Sequence, residues 1–378
     1  MRGTNNSYCD VYLDNAATSF PKPPSVIKEL YKCLKYYCGN PGRSGHGMSI
    51  AAADKIYEAR EIIASFFEGA VAERVCFTQN ATSALNTVTK GLIKKKTHII
   101  ISDTEHNSVL RPLGTLKDEY GVEISEFDTN LPLRKAILAK IRENTEYLIC
   151  NLASNVTGDD VDFEELKSIS REYGLTLIVD ASQAAGHKTL SFKGLERGAL
   201  CSAGHKALFG IQGSAFFILS DKLLPSTLLE GGSGSDSFNI KMPSLPPERY
   251  EAGTLSCPSI VSLSEGIKFI NSIGLENIEK KLTVLTNELF DRLSSIKEIS
   301  IYGAKNGICS FNIDKYSSFE AARLLSDKSI ALRGGFHCAP SVHKKLKTEK
   351  TGAVRASLSY FNSKKDTDKL YKAIKEIL

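Results

Sequence analysis

Lys206 stands in CSAGHKALFG (201–210), a basic residue among small and apolar ones, directly after Gly204 and His205. Burial in such company lowers a lysine's pKa and leaves a neutral amine able to attack a carbonyl. Upstream, VDAS puts Asp180 at the end of an apolar run. An aspartate there can cap a helix, ligate a metal or keep a heterocyclic nitrogen protonated. A carboxylate for a pyridinium nitrogen and a lysine for a Schiff base are together what pyridoxal phosphate (PLP) needs, because the protonated ring is the electron sink. PLP also needs a phosphate cup. In FTQNATSALNTV (77–88) a strand-like run ends at Thr78 and a helical pattern opens with Asn80, Ala81, Thr82 and Ser83. Small and hydroxyl residues at a helix N-terminus suit a phosphate through free N–H groups and the helix dipole. The same pattern is an ordinary N-cap in most proteins.

These residues need a scaffold that brings them to one edge. THIIIS (97–102), EYLICNLAS (146–154) and LTLIVDAS (175–182) read as buried strands of a parallel sheet. Between the last two lies DFEELKSISREYG (162–174), with Asp162 placed to cap a helix and Gly174 to end it. Strand, capped helix, strand is a βαβ unit, so the expected class is α/β, with helices on both faces of the sheet. Asp180 then falls at the carboxyl end of a strand, where open α/β sheets bind ligands. GSAFFILS (213–220) follows by a short loop and reads as an antiparallel addition. After about residue 260 the texture changes. One long helical pattern, to about residue 296, leads into short strands at ISIYG, GICSFNI and AVRASLSYF with helical stretches between them. The expected organisation is an N-terminal segment (1–20) joining a smaller α+β C-terminal domain (259–378), with a large domain over 21–258. The glycine-rich GGSGSDS (231–237) is a loop at their junction, and its glycines would permit closure over a substrate.

With 378 residues, two domains are the length-based expectation. A net charge of +5 spread along the chain speaks against nucleic-acid binding, and KKLKTEK (344–350) reads as a solvated face. No run is apolar over the ~18 residues of a membrane span, and MRGTNNSYCD has no signal-peptide core, so the expected location is cytoplasmic. The nine cysteines include no Cys-x-x-Cys pair, which speaks against a disulfide framework and against a metal site. Cys76, Cys150 and Cys309 lie inside apolar runs and read as core residues. Cys338 differs: RGGFHCAP (333–340) sets it in a glycine-rich loop beside Arg333 and His337, where positive neighbours would favour thiolate.

Taken in order, YLDNAATSFPKP, GNPGRSGHG, TQNATSALN, DTEHNSVLRP, ASNVTGDD, VDASQAAG, SAGHK, RYEAGTLSCP, ALRGGFHCAP and VRASLSYFN resemble the class V, fold-type I PLP enzymes of the cysteine desulfurase and selenocysteine lyase group over nearly the whole chain. The resemblance implies that Lys206 is the Schiff-base lysine, Asp180 the partner of the pyridine nitrogen and His106 the ring-stacking acid/base. It implies that Gln183 bonds the cofactor's phenolic oxygen, with Asn155 near that oxygen and the substrate carboxylate. Thr82 and His205 match phosphate-binding positions, as does Ala81, although relatives often carry a hydroxyl there; Ala203 likewise replaces a serine. Thr254 matches a residue that reaches the phosphate from a second subunit, which implies a homodimer. Arg355 matches the arginine that clamps the substrate carboxylate, a bidentate task, with Arg333 nearby.

By the same resemblance, Cys338 takes sulfur from L-cysteine as a persulfide, alanine leaves, and the sulfur passes to an acceptor protein or thiol. Phe336, at a position often polar in relatives, bears on the choice of acceptor and on a preference for L-selenocysteine. The alternatives are selenocysteine lyase activity, in which selenium leaves without the cysteine, and transamination or epimerisation of another amino acid on the same scaffold. A sulfur carrier without catalysis is disfavoured by the presence of Lys206, Asp180, His106 and Arg355 together.

Overall fold

The computed structural model describes residues 9–42, 44–234 and 238–378, which divide into two compact units. The larger comprises Lys22–Leu152 and Val161–Ile273. Its centre is a seven-stranded sheet in the order Val75–Thr78, Ala215–Leu219, Gly198–Ala203, Thr176–Asp180, Thr145–Asn151, His98–Ser102 and Glu123–Phe127. All pairings are parallel except the two made by Ala215–Leu219, the strand expected to run antiparallel. Ile99, Ile101, Ile149, Ile178 and Phe217 pack in one cluster with Leu85 and Val88 of helix Ala81–Leu92 and with Val109 and Leu113 of helix Asn107–Tyr120. Ile100, Leu148, Leu177, Val179 and Phe216, of the opposite parity, are equally buried. Side chains alternate along a strand, so both faces of the sheet are covered, as the unbroken apolar runs imply.

Local chemistry starts and stops the helices as expected. Asp162 accepts from the Glu165 N–H at the head of Phe163–Glu172, and Gly174 follows in left-handed backbone (φ 65°). Asn80 does the same for Ser83 N–H at the head of Ala81–Leu92. The single long helical pattern expected after residue 260 is in fact two helices, Cys257–Ile273 and Leu275–Ser294. Gly274, at φ 84°, breaks it in a conformation other residues reach only with strain. Helix Cys257–Ile273 belongs to the larger unit, so that unit runs past the expected limit at residue 258.

The smaller unit takes the described residues up to Pro21, Gly274–Leu378 and an internal piece, Ala153–Asp160. Its four-stranded antiparallel sheet has the order Arg333–Gly335, Ala353–Ser357, Ile308–Ile313, Ile299–Lys305. Val11–Tyr12 pairs in parallel with Ile330–Ala331. Two capping boxes, Ser317/Glu320 and Ser363/Asp366, start helices Ser318–Asp327 and Lys364–Ile377. Among the described residues, no helix is long and apolar enough to cross a membrane. Of the GGSGSDS segment, residues 235–237 lie outside the described residues.

Candidate active site

In the larger unit the candidate residues gather at the carboxyl ends of parallel strands. Thr82 follows Val75–Thr78, His106 follows His98–Ser102, Asp180 ends Thr176–Asp180, and Lys206 follows Gly198–Ala203. Asp180 is buried, and its Oδ1 accepts from Ser182 N–H at 2.9 Å. Gln183 is buried beside it in sequence, and Lys206 is half-buried. The backbone around the lysine is tight: a Cβ at Gly204 would lie 2.5 Å from Ser214 Oγ, so only glycine fits before His205 and Lys206.

His106 caps helix Asn107–Tyr120. Its Nδ1 accepts from Ser108 N–H at 3.0 Å, which leaves Nε2 to carry the ring proton. Ser108 Oγ lies 2.8 Å from that Nδ1 and 2.9 Å from Thr82 Oγ1, so one hydroxyl links two of the expected residues. Ala81 is the first residue of its helix and offers only backbone. Thr254 is exposed and lines a cavity of about 290 Å³ with Arg60, Glu248 and Glu251; Lys206, Asp180, His106 and Thr82 are not in its walls.

Two groups, Lys22 and Glu105, escaped the sequence reading. Lys22 donates to the His205 carbonyl at 3.1 Å, and burial pushes its pKa down to about 8. His205 is held neutral, with burial, then the charges of Lys206 and Lys22, pushing it down to about 4. Glu105 is fully buried behind His106. Its Oε1 accepts from Ser102 Oγ and from Asn151 N–H, and burial pushes its carboxyl up to about 8, with neighbouring Asp180 adding to the rise. Glu105 Oε2 has no partner, nor have the buried hydroxyls of Ser182 and Ser202. The lone charged letter in FPKP was the one available signal for Lys22; nothing local marks Glu105.

In the smaller unit Arg355 sits on strand Ala353–Ser357 with its side chain only 1% exposed. Nη2 donates to Asp14 Oδ1 at 2.9 Å and Nη1 to the Asn155 carbonyl at 2.9 Å, while Nε has no partner. Arg333 lies opposite Arg355 in the antiparallel register, so two guanidinium groups share a neighbourhood that Asp14 balances in part. Burial lowers the Arg355 pKa and Asp14 opposes that fall. Asn155 Nδ2 donates to the His337 carbonyl at 2.7 Å, and His337 Nε2 donates to the Ala353 carbonyl at 3.0 Å. Cys338 follows, exposed, and both His337 and Cys338 have left-handed backbone, φ 50° and 58°.

One expectation needs correction. His337 is not a positive neighbour of Cys338, because burial, then the Arg355 charge, push its pKa down to about 2 and leave a neutral ring. Arg333 is exposed on strand Arg333–Gly335, which leads into the Cys338 loop. Cys76, Cys150 and Cys309 are buried, as expected of core thiols, and none of the nine cysteines is in a disulfide. Among the described residues no cluster of three or more His, Cys, Asp or Glu side chains is arranged to hold a metal ion.

The family model for class-V aminotransferases matches residues 11–370, and the chain belongs to that family. Among its relatives is a probable cysteine desulfurase of Methanothermobacter thermautotrophicus, 32% identical, the match covering 97% of this chain and 94% of that one. Another of that description, from Pyrococcus abyssi, is 32% identical with the same coverage. The apo structure of a cysteine desulfurase from Thermococcus onnurineus superposes with a TM-score of 0.89 at 30% identity, covering 97% of this chain and 94% of that one. The fold is that of the fold-type I PLP enzymes, and the family is PLP-dependent.

The residues present fit that cofactor. Of two buried hydroxyls without partners, Ser182 lies two residues after Asp180, and Ser202 lies at the end of strand Gly198–Ala203, which leads to Lys206. Unspent buried hydroxyls cost free energy unless something bonds them. A phosphate-bearing, nitrogen-containing ring would use such donors, the amines of Lys22 and Lys206, and the Asp180 carboxylate.

Proposed function

We propose that the protein is a PLP-dependent cysteine desulfurase that converts L-cysteine to L-alanine and takes the sulfur on Cys338 as a persulfide. The observation that carries the reading is a connection in the smaller unit. An exposed thiol directly follows a residue held by the side chain of Asn155, whose carbonyl accepts from the buried Arg355. A nucleophile and a carboxylate-binding group in one hydrogen-bonded set suit an amino acid whose side chain is to be attacked.

The larger unit supplies the cofactor's holders. Lys206 would hold PLP covalently, Asp180 would keep the pyridine nitrogen protonated, and His106 would lie against the ring. Gln183 would bond the phenolic oxygen, and Thr82, Ala81 and His205 would meet the phosphate. When bound, PLP supplies the electron sink that makes the substrate's α-proton removable. Lys206 takes that proton. In the smaller unit Arg355 grips the substrate carboxylate, with Asn155 and Arg333 beside it. Cys338 attacks the substrate sulfur: an S–S bond forms as the Cβ–S bond breaks, and the carbon keeps the electron pair and gains a proton, giving alanine. His106 Nε2–H is placed to move a proton at neutral pH. The persulfide then passes its outer sulfur to a protein or small thiol.

A second copy of the chain completes this reading. Helix Pro24–Lys32 and the turn of helix after it expose Ile27, Tyr31, Leu34 and Tyr36 at 58%, 58%, 62% and 59%, an apolar face that a symmetric partner would cover. Thr254, exposed in one copy, would then serve the partner's phosphate. Nine cysteines with no disulfide among them favour a reducing compartment, the cytoplasm.

The test is alanine release from L-cysteine by PLP-loaded protein with dithiothreitol present. Alanine in excess of enzyme, lost on Cys338→Ser, is the expected result. No alanine from protein that carries PLP overturns the reading, as does turnover of L-cysteine that survives Cys338→Ser.

A further inference from the structure

Cys338 is held in a conformation that its own residue type does not favour. His337 and Cys338 are consecutive non-glycine residues with φ between 50° and 58°. Such backbone is strained for residues with a Cβ and persists only where its surroundings over-determine it. Two ties do so here, both at His337. Its carbonyl accepts from Asn155 Nδ2 at 2.7 Å, and its ring donates from Nε2 to the Ala353 carbonyl at 3.0 Å. The ring stays neutral across the physiological range, so that second tie does not switch off with pH.

Both ties lead to the arginine. Ala353 is two residues before Arg355 on the same strand, and Asn155 accepts from Arg355 Nη1 through its own carbonyl. Asn155 therefore holds the guanidinium with its main chain and the residue before the thiol with its side chain. In the same cluster, Arg355 Nε and Asn155 Oδ1 are buried without partners, one donor and one acceptor left over. Asp14 secures the far side of the guanidinium through Nη2.

We infer that Asn155 is a positioning residue for Cys338, and that an α-amino acid carboxylate bound at Arg355 changes, through Asn155, how the thiol is presented. This rests on the roles given above to Arg355 and Cys338. A carboxylate drawing on the guanidinium competes with, or tightens, the Nη1 bond to the Asn155 carbonyl, and the amide of the same residue carries the change to the His337 carbonyl. The coupling is reciprocal: whatever factor the amino acid exerts on the thiol, modification of the thiol exerts on amino-acid affinity.

The experiment follows alkylation of the PLP-loaded protein by iodoacetamide, an uncharged reagent, with each cysteine read by peptide mass spectrometry. Cys38, the other exposed thiol, is the internal reference. In the wild type, saturating L-alanine is expected to change the Cys338-to-Cys38 rate ratio by about fivefold, the low end of ordinary coupling between sites. Asn155→Asp removes the Nδ2 donor. It is expected to raise the ratio without ligand and to abolish the response to L-alanine, measured at L-alanine concentrations raised until the cofactor's absorbance reports saturation, since the new carboxylate weakens amino-acid binding. His337→Gln keeps a donor for the Ala353 carbonyl and should retain the wild-type response; His337→Leu should lose it. A wild-type ratio indifferent to bound L-alanine overturns the inference. So does an Asn155→Asp protein that behaves as wild type. If that variant does not fold, a wild-type response in His337→Leu overturns it instead. Alkylation needs no desulfuration, so this result stands apart from whether Cys338→Ser destroys turnover.

Discussion

The two halves of the candidate chemistry are held by opposite means. In the larger unit, Thr82, His106, Asp180 and Lys206 leave the ends of strands whose side chains are buried on both faces. Their placement follows from a sheet that has little freedom to do otherwise. In the smaller unit, Cys338 stands on a loop in left-handed backbone, secured by two hydrogen bonds to its neighbour. A cofactor has to be held in one geometry, and a rigid floor achieves that. In the role proposed for it, the thiol would meet a substrate sulfur and surrender it to an acceptor, which needs access, and a loop tied at few points allows that. Rigidity and access are supplied in different units, so they can be disturbed separately.

The sharpest break is at the floor. Lys206→Ala should reduce alanine release from L-cysteine by at least about 10²–10⁴-fold, the ordinary worth of a positioned proton-transfer group, measured with saturating added PLP. Next is the loop. Cys338→Ala should stop turnover of L-cysteine and spare release of alanine from L-selenocysteine; loss of both would put the thiol outside sulfur transfer altogether. Arg355→Lys should cost about 10–100-fold in kcat/KM, most of it in KM, since a charge-assisted hydrogen bond is worth about 1.5–3 kcal/mol and lysine has no planar fork. An unchanged KM would remove Arg355 from carboxylate binding.

A subtler contrast lies in buried titration. Glu105 is raised in the folded protein to about 8, so above the ordinary carboxylate range the unfolded chain loses this proton while the folded one keeps it. The unfolded state then binds fewer protons, and stability from this group is present at low pH and falls as pH rises toward 8. The fall is at most about 1.4 kcal/mol per pH unit. Glu105→Gln should flatten the decline in urea midpoint across that interval; an unaltered profile would mean the carboxylate is accommodated as an anion. The smallest effect is expected of Lys22→Met, which removes one bond to the His205 carbonyl. A loss of roughly 0.5–1.5 kcal/mol corresponds to a few-fold fall in kcat with Lys206 still able to carry PLP.

How far the sequence could be read differs between the halves in the same way. Apolar runs, the Asp162 and Asn80 caps and Asp180 at a strand end are local patterns, and each stands where its pattern put it. What escaped is long-range. The Ala153–Asp160 piece joins the smaller unit although it lies between two strands of the larger, and no local signal marks that departure. The charge of His337 was misjudged because adjacency to Cys338 and Arg333 is visible in sequence and burial is not. Glu105, Ser108 and Asp14 matter for the groups they touch, and those partners lie between 2 and 341 positions away. The break at Gly274 was not legible within a strong helical period, because a glycine letter does not show whether its backbone is left-handed.

The Val11–Tyr12 strand is fastened to Ile330–Ala331, and the Leu13 carbonyl accepts from Ser357 N–H, more than three hundred positions on. On a ribosome this order has a timing consequence. The larger unit is complete in the nascent chain once Ile273 has emerged and can fold as a body of its own. The smaller one must wait for strand Ala353–Ser357, some 80 residues later, or roughly 4–16 s at about 5–20 residues per second. Its early segments stay without their partners through that interval, and Cys338 and Arg355 reach their folded arrangement only after the larger unit's candidate residues have theirs.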